Sequence, residues 1–429
     1  MRGLPASRVA DPGLAGAGRA RIAWADAQMP VLRQVRERFA AQRPLEGLRI
    51  AACLHVTAET AALMRALLAG GAQVGLCAAN PLSTRDDVAA ALAEVEGAAV
   101  FARRGEAPEE ALDELVAWRP QLTLDDGADL IVALHEADAL EDYLGGLEET
   151  TTGLVRLRAL AAAGALHRPV LAVNEARSER VFNDRYGTGQ SALDGIVRAT
   201  NMLLAGRTLV VLGYGPTGQG VAQRARGAGA VVVVCEIDPV RALEARMEGY
   251  EVMPALAAAE RGDVFVTVTG VRDVLRAEHF QVMKDGAVLA NAGHFDVEIS
   301  LGELRALAIE PPVELIPLVE EYRLEDGRRL HLLTGGRVVN LAAGEGHPAE
   351  VMDISFAGQA LAAEYLAGDG AALPAGVQPV PDGLDVEVAR LKLEALGVRL
   401  DALSADQQAY REGWTPPVAA PSPAPGSAP

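Results

Sequence analysis

The chain has 429 residues and a formal net charge of −19, with 50% apolar and only 4% aromatic residues. This length exceeds one ordinary core, and small aliphatic side chains favour layered α/β domains. The negative charge excludes nucleic acid or an anionic membrane surface as a general partner. The three cysteines show no CxxC spacing, so we expect no disulfide framework and no metal site. Because the sequence shows no apolar leader or membrane span, we expect a cytoplasmic protein.

Short apolar runs alternate with helical segments in two series. The predicted strands cover residues 48–56, 72–79, 122–124, 209–212, 231–235, 264–268 and 287–290. Helical spacing is found at residues 59–69, 352–366 and 384–396. Strands of this length separated by helices are typical of parallel βαβ units. The second series therefore predicts a doubly wound sheet.

A GxGxxG sequence follows the first strand of the second series. It reads Gly213-Tyr214-Gly215-Pro216-Thr217-Gly218 and opens a predicted helix. Such glycines make a tight turn, admit a pyrophosphate and allow close packing of the helix on the strand. Glu236 ends the next strand, where a carboxylate accepts from a ribose diol and repels a 2′-phosphate. The pattern indicates a dinucleotide site that favours NAD over NADP.

Several specific stretches carry a family resemblance up to about residue 414. They include residues 36–39 (RERF), 53–60 (CLHVTAET), 80–84 (NPLST), 124–127 (LDDG), 148–153 (EETTTG), 186–191 (YGTGQS), 291–296 (NAGHFD), 339–341 (VNL) and 346–348 (GHP). In this order they resemble the S-adenosylhomocysteine hydrolase family, in its shorter bacterial and archaeal form.

The resemblance implies an α/β fold with a Rossmann-like substrate domain, a doubly wound NAD-binding Rossmann domain and a C-terminal helical extension. We expect the substrate domain to span residues 1–189 and 347–378, and the NAD-binding domain residues 190–346. Residues 379–414 would form an oligomerisation segment of a homotetramer, and residues 415–429 a disordered tail.

The chemistry implied by the resemblance is a redox-assisted elimination on an adenine nucleoside. NAD takes a hydride from C3′, and the resulting ketone acidifies the C4′ proton. Loss of that proton expels the 5′ substituent, water adds to the enone, and the stored hydride returns to the ketone.

The resemblance also assigns roles to individual residues. His55 and Asp126 match a pair that shuttles a proton at the 5′ position, for which a histidine is suited by its pKa. Glu149 matches the residue that binds the ribose hydroxyls, and His294 matches one that faces the sugar. The residues that match the nucleoside site are Leu54, Thr57, Glu59, His347 and Met352. Those that match cofactor contacts are Thr150, Thr151, Thr152, Asp184, Gly213, Gly215, Gly218, Glu236, Thr269, Asn291, Gly293, His294 and Asn340. The four remaining histidines match no site motif and are interpreted as structural: His135, His167, His279 and His331.

One segment departs from the family pattern. Where the family has lysine, aspartate and asparagine near the 3′-hydroxyl, this chain has Glu179, Asn183 and Asp184. The three positions sum to neutral in the family and to −2 here, if both carboxylates are ionised. Glu179 would be a poorer base than a lysine of lowered pKa unless it is desolvated.

Three hypotheses follow. The first is ordinary hydrolysis of S-adenosyl-L-homocysteine to adenosine and L-homocysteine. The second, which the altered segment favours, is a paralogue that eliminates the 5′ group of a modified adenine nucleoside in the manner of a dehydratase or lyase. The third is an inactive NAD-binding regulator, against which the retained His55, Asp126, Glu149 and His294 argue.

Overall fold

A computed structural model describes residues 3–413 of the chain, so the predicted tail at 415–429 lies outside the described residues. The strands are β1 (Arg8–Val9), β2 (Arg49–Leu54), β3 (Gln73–Ala78), β4 (Ala98–Ala102), β5 (Leu122–Asp125), β6 (Gly145–Glu148), β7 (Pro169–Ala172), β8 (Thr208–Leu212), β9 (Val231–Cys235), β10 (Glu251–Val252), β11 (Val264–Thr267), β12 (Ala287–Asn291), β13 (Val313–Ile316), β14 (Val319–Arg323), β15 (Arg329–Leu333) and β16 (Gly376–Pro379).

The α-helices are α1 (Ala15–Ala27), α2 (Pro30–Gln42), α3 (Ala58–Ala69), α4 (Asp86–Ala93), α5 (Glu109–Trp118), α6 (Asp129–Glu136), α7 (Thr151–Ala162), α8 (Gly189–Thr200), α9 (Pro216–Gly227), α10 (Pro239–Met247), α11 (Ala255–Ala259), α12 (Ala277–Phe280), α13 (Leu301–Leu307), α14 (Val339–Ala342), α15 (Ala349–Ala367), α16 (Asp382–Ala395) and α17 (Ala405–Glu412). A π-helix spans Glu179–Thr188 and runs directly into α8. Short 3₁₀ turns lie at Pro12–Leu14, Val173–Glu175, Thr334–Gly336 and Asp369–Ala372.

Two sheets organise these elements. The first has the order β1-β4-β3-β2-β5-β6-β7-β16 and is parallel throughout. The second has the order β10-β9-β8-β11-β12-β15-β14-β13, in which β13 and β14 are antiparallel to their neighbours. Its first six strands follow the order typical of a dinucleotide-binding Rossmann sheet. The predicted α/β fold class is therefore confirmed.

The predicted elements lie close to their observed positions. The strand predicted at 231–235 matches β9, and that predicted at 48–56 is observed as Arg49–Leu54. The helix predicted at 352–366 begins three residues earlier, at Ala349, and ends at Ala367. Strand β16 ends at Pro379, one residue beyond the predicted bound of the substrate domain. Within residues 3–413, no helix combines the length and apolar character needed to cross a bilayer.

Each sheet has a switch point, where successive connections lead to opposite sides. In the first sheet it lies between β2 and β5, and in the second between β8 and β11. Ligands of open α/β sheets bind beyond the carboxyl ends of the strands at such points. His55 follows β2, Asp126 follows β5 and Gly213 follows β8. The topology therefore places the sequence motifs of both series at binding edges.

The π-helix packs against α9 without intervening side chains. A Cβ atom on Gly220 of α9 would lie 1.9 Å from the carbonyl oxygen of Arg185 in the π-helix. A Cβ on Gly189 would lie 2.6 Å from the backbone carbon of Gly220. Contact this close requires glycine at both positions. The backbone of α9 therefore touches the backbone of the π-helix, which is the segment that departs from the family pattern.

A buried ion pair attaches α16 to the first domain. Asp353 is fully buried in α15 and accepts from the backbone N–H groups of Val31 and Leu32 at the start of α2. Lys392 of α16 donates to the same carboxylate at 2.7 Å. A lysine-to-methionine change would leave the carboxylate with only its two backbone donors.

We expect Lys392→Met to lower the free energy of unfolding by about 3 kcal/mol, because it leaves the buried Asp353 carboxylate without a cationic partner. Urea unfolding followed by circular dichroism measures this change. The sequence contains one other lysine, Lys284, which forms a half-exposed pair with Asp263 and supplies the control. Lys284→Met should cost less than about 1 kcal/mol. Equal effects of the two substitutions would contradict the role given to Lys392.

Candidate active site

A cavity of about 420 Å³ lies at the carboxyl ends of the two sheets. It brings together residues that are far apart in the sequence. The predicted site residues that line it are His55, Thr57, Glu59, Asp126, Glu149, Thr150, Thr151, Thr152, Asn183, Asp184, Gly215, Thr269, Gly293, His294, Asn340, His347 and Met352. The predicted residues that are absent from its wall are Leu54, Glu179, Gly213, Gly218, Glu236 and Asn291.

His55 is held at both ring nitrogens. Its Nδ1 lies 2.6 Å from Ser83 Oγ, and its Nε2 lies 3.1 Å from Asp126 Oδ2. The Ser83 hydroxyl donates its only proton to the carbonyl oxygen of Asn80, so it can only accept from His55. A proton on each ring nitrogen, as in an imidazolium, satisfies both of these contacts.

The charges around His55 agree with this assignment. Burial alone would lower the pKa of His55, but the Asp126 carboxylate and, less strongly, Glu149 raise it above its ordinary value. Burial would raise the pKa of Asp126, yet His55 and His294 outweigh it and lower that pKa to about 2. The Nδ1 atom of His294 lies 3.4 Å from Asp126 Oδ1. Asp126 is thus an ionised carboxylate shared by two histidines.

The same three side chains bring their polar atoms within 4.8 Å of one another. Asp126 contacts the rings of both His55 and His294, and these two contacts account for the short distances among the three side chains. Burial lowers the pKa of His294, so this ring stays neutral beside the charged His55. Gly127 allows the approach, since a Cβ there would lie 2.9 Å from His294 Nε2. The expected absence of a metal site stays a prediction.

Two buried carboxyl groups, Glu148 and Glu149, lie next to Asp126. Burial, and next the Asp126 charge, raise the pKa of Glu149 to about 8. Burial also raises the pKa of the neighbouring Glu148 to about 8. Glu148 Oε1 accepts from the N–H groups of Gly127 and Thr150, so it orders both loops. Glu149, in contrast, faces the cavity.

The departing segment is a π-helix whose side chains have different environments. Asn183 Oδ1 hydrogen-bonds His347 Nδ1, and Thr188 Oγ1 lies 3.0 Å from His347 Nε2. Burial, together with His55, lowers the pKa of His347 to about 4, so this ring is neutral. A neutral amide at position 183 therefore hydrogen-bonds a neutral imidazole.

Glu179 does not reach the cavity and is only 2% exposed. Burial, followed by the Glu149 and Asp184 charges, raises the pKa of Glu179 well above its ordinary value. Burial raises the pKa of Asp184 to about 6, and Arg180 lies 3.7 Å from its carboxylate. Burial of Glu179 therefore favours its protonated form, and Arg180 offsets the charge of Asp184, whereas the sum of −2 counts both carboxyl groups as ionised.

In the second sheet, the turn after β8 and the end of β9 have a geometry that suits a dinucleotide. Gly213 has a φ of +104°, and a Cβ on Gly218 would lie 2.0 Å from the Gly213 carbonyl oxygen. These glycines therefore shape the turn rather than line the cavity. The Glu236 carboxylate accepts from the N–H groups of Tyr214, Ile237 and Asp238, which fixes its orientation at the end of β9.

Two buried polar atoms near this edge have no partner in the protein. They are Thr152 Oγ1 and Asn340 Oδ1, both of residues that line the cavity. An unsatisfied buried polar atom requires a ligand or water. Together with the glycine turn, they fit a bound nicotinamide dinucleotide.

Asn291 and Glu298 form hydrogen bonds to the backbone of the loops at this edge of the second sheet. Asn291 Nδ2 donates to the carbonyl oxygens of Phe295 and Gly336, and its Oδ1 accepts from the N–H of Gly293. The structure thus gives Asn291, predicted as a cofactor contact, the role of ordering the loop that carries His294. Glu298, which the sequence did not single out, accepts from the N–H groups of Thr269 and Gly270.

Sequence reasoning missed other wall residues with polar side chains. Thr188 contacts His347 and lies within the motif at residues 186–191, so the motif itself could have identified it. Glu345 and Arg241 also line the cavity, and neither stood out. Glu345 pairs with Arg85 at 2.8 Å, a contact that only the fold creates. Of the four histidines interpreted as structural, none lines the cavity.

Comparison with known proteins defines the family. The profile described as S-adenosyl-L-homocysteine hydrolase matches residues 6–146, and the profile of its NAD binding domain matches residues 184–346. The chain is 56% identical over 411 residues to an adenosylhomocysteinase of Aquifex aeolicus, covering 95% of this chain and 98% of that protein.

Two further relatives are similar over the same length. An S-inosyl-L-homocysteine hydrolase of Methanopyrus kandleri is 52% identical, with 95% of this chain and 97% of that protein covered. An adenosylhomocysteinase of Thermosynechococcus vestitus is also 52% identical, with 95% and 96% covered. None of these three relatives carries the name of a dehydratase or lyase.

The fold and the cavity define an NAD-binding enzyme with a Rossmann domain. At this identity and coverage, the chain belongs to the S-adenosyl-L-homocysteine hydrolase family. The resemblance found in the sequence motifs and the expectation of NAD are both confirmed.

Proposed function

We propose that this enzyme cleaves the 5′ thioether of an S-nucleosyl-homocysteine whose base is adenine, after transient oxidation of the 3′-carbon. The observation that carries the proposal is the charged His55, held between Ser83 and Asp126 in the same cavity as Glu149 and the cofactor edge. A proton donor at the 5′ end and an acceptor at the sugar are the groups that this chemistry requires. The names of the relatives agree with a hydrolase.

Each residue then has a defined task. Glu149 accepts the proton of the sugar hydroxyl, the neutral ring of His294 accepts the C4′ proton, and His55 donates a proton to the departing sulfur. Asp126 keeps His55 charged before this step and orients it. The turn formed by Gly213, Gly215 and Gly218 would hold NAD, which would supply reversible hydride transfer at C3′. Having lost its proton, His55 can take one from the water that adds at C5′.

The base end of the cavity favours adenine over hypoxanthine. Glu59 and Glu345 both line it, and Thr57 caps α3 beside Glu59. Carboxylates accept hydrogen bonds from the 6-amino group of adenine, whereas they repel the 6-oxo group of hypoxanthine. His347 and Met352 close the same end.

A second candidate is elimination without hydration on an adenine nucleoside with an altered sugar. The buried carboxyl of Glu179 at the family's lysine position is the observation that motivates it. The names of the relatives give it no support, so it stands second to the hydrolase. The inactive-regulator hypothesis is weaker still, because the protein retains a complete proton-transfer group in a cavity.

We also propose a homotetramer in the cytoplasm. Val240, Leu243 and Met247 of α10 and Ile237 just before it expose apolar side chains that suit an interface. Cys53 and Cys77 are free and directly opposed on β2 and β3, which agrees with a reducing compartment.

The test of the function is thiol release from S-adenosyl-L-homocysteine by the NAD-loaded protein. We expect turnover at a rate typical of a hydrolase, with adenosine as the second product. The matched variant is Glu179→Lys, compared on S-adenosyl-L-homocysteine and on adenine nucleosides with altered sugars. Absence of thiol release by the wild type, with turnover of an altered nucleoside that Glu179→Lys abolishes, would replace the hydrolase with the second candidate.

A further inference from the structure

Glu298 is a buried carboxyl group that joins two loops of the second sheet. It is 1% exposed and lies in the loop after β12. Its Oε2 accepts from the backbone N–H and from the hydroxyl group of Thr269, both at 2.8 Å, and its Oε1 accepts from the N–H of Gly270 at 2.9 Å. Thr269 and Gly270 lie in the loop after β11 and line the cavity. The carboxyl group of Glu298 therefore lies directly behind part of the cavity wall.

The same carboxyl group is in close contact with Gly293 of its own loop. A Cβ atom on Gly293 would lie 2.0 Å from Glu298 Oε1, so only glycine allows this approach. Gly293 lines the cavity and directly precedes His294, whose Nδ1 lies 3.4 Å from Asp126 Oδ1. Glu298 thus lies behind the part of the wall that the loops after β11 and β12 form together.

The hydrogen bonds of Glu298 suit an ionised carboxylate. Backbone N–H groups can only donate, and one of them is directed at each of its two oxygens. The Thr269 hydroxyl accepts from the N–H of Val271 at 3.0 Å, which leaves its own proton to donate to Glu298. Burial raises the pKa of Glu298, and the three hydrogen bonds oppose this rise. Among residues 3–413 no cation pairs with Glu298, so its negative charge is balanced by dipoles alone.

The nicotinamide of bound NAD is expected in front of these loops. A dinucleotide crosses the switch point, here between β8 and β11, with its pyrophosphate at the start of α9. One nucleoside half then lies over β8 and β9, and the other over β11 and β12. Hydride transfer requires the nicotinamide to touch the substrate sugar, and His294, which follows β12, lies against Asp126 of the first sheet. The half over β11 and β12 is therefore the nicotinamide half.

We propose that Glu298 positions the two loops that face the nicotinamide, and that its negative charge favours binding of the oxidised cofactor, NAD⁺, over the reduced cofactor, NADH. The nicotinamide ring carries a positive charge when oxidised and none when reduced, so a nearby carboxylate stabilises only the oxidised form. This inference rests on the proposed function for the side of the cavity on which the nicotinamide lies. Its consequence is an enzyme that ends each turnover with its cofactor in the form needed to begin the next.

The ratio of the dissociation constants of NAD⁺ and NADH tests the proposal. Both constants are measured by calorimetric titration of the cofactor-free protein, without any nucleoside. Glu298→Gln keeps the length of the side chain and removes its charge, so the NAD⁺ constant should rise roughly tenfold relative to the NADH constant. For a two-electron couple, this change corresponds to a rise of about 30 mV in the midpoint potential of the bound cofactor.

Further variants separate the charge of Glu298 from its packing. Glu298→Asp keeps the charge on a shorter side chain, so both affinities should fall together and the ratio should stay at its wild-type value. Glu303→Gln is the matched control, because it removes an exposed carboxylate that accepts from the N–H of Ala277, and neither constant should change. If Glu298→Gln does not fold, Glu298→Ser, whose small side chain admits water to the freed N–H groups, should raise the ratio in the same direction.

Two results would overturn the proposal. One is an unchanged ratio in the uncharged variant, and the other is an equal change of the ratio in Glu298→Asp, since either would assign Glu298 to loop packing alone. The readout is independent of catalysis. A protein that shows the shift but releases no thiol would contradict only the proposed function, and one that releases thiol with an unchanged ratio would contradict only this inference.

Discussion

An Asp126→Asn variant is expected to lose cleavage of the 5′ bond by roughly 100- to 10,000-fold while it still oxidises the sugar. The carboxylate of Asp126 keeps the buried His55 charged through a 3.1 Å contact. An amide has no charge to offset the burial of the imidazolium, so His55 would become neutral and could no longer donate to the leaving sulfur. Thiol release and reduced-nicotinamide absorbance, measured in the same sample, separate the two steps.

The Asp126 variant has a further consequence for pH dependence. The charge of Asp126 raises the pKa of Glu149 and the charge of His55 lowers it. Because the variant loses both charges, the pH dependence of sugar oxidation should change little. The control is Asp142→Asn, which removes an exposed carboxylate paired with Arg49 at 3.5 Å. We expect no change in either step for the control. Parallel loss of oxidation and thiol release in Asp126→Asn would show that Asp126 supports the fold rather than the proton transfer.

A Gly218→Ala variant should weaken NAD binding by roughly ten- to a hundredfold, which corresponds to about 1–3 kcal/mol of overpacking. The added methyl group would lie 2.0 Å from the Gly213 carbonyl oxygen, so the turn must open or α9 must move away from β8. Either change displaces the backbone N–H groups that face the pyrophosphate. Titration of the cofactor-free protein with NAD, followed by calorimetry, measures the loss.

Gly227 is the matched control, since it lies at the other end of α9 with no atom within 4 Å of an added Cβ. Gly227→Ala should leave NAD affinity unchanged and slightly increase thermal stability, because alanine favours helix more than glycine does. Equal affinities in the two variants would show that the turn tolerates a side chain and that Gly218 has no special role in binding.

The sequence predicted the binding edges because each motif directly follows a strand. Glycine at 213, 215 and 218, after an apolar run and before a helix, indicates a phosphate turn from local information alone. His55 and Asp126 were assigned through the family resemblance, and the parallel strands β2 and β5 bring them to one edge.

The protonation states could not be predicted in this way. A net charge of −2 was assigned to the departing segment by counting side chains as they ionise in water. The structure buries Glu179 behind the cavity wall and directs Arg180 toward Asp184, and both effects depend on contacts between elements. Local sequence records the residue type, whereas the electrostatic environment is set by tertiary packing.

The glycine contact between α9 and the π-helix has a thermodynamic consequence. With backbone touching backbone at Gly220 and Arg185, neither helix can shift without displacing the other. If NAD binds at the start of α9 and the nucleoside beside Asn183 and Asp184, as proposed, we expect the two helices to respond together to either ligand. Reciprocity then requires that nucleoside tightens NAD by the same factor by which NAD tightens nucleoside. A substrate-loaded enzyme would accordingly retain its cofactor longer than an empty one.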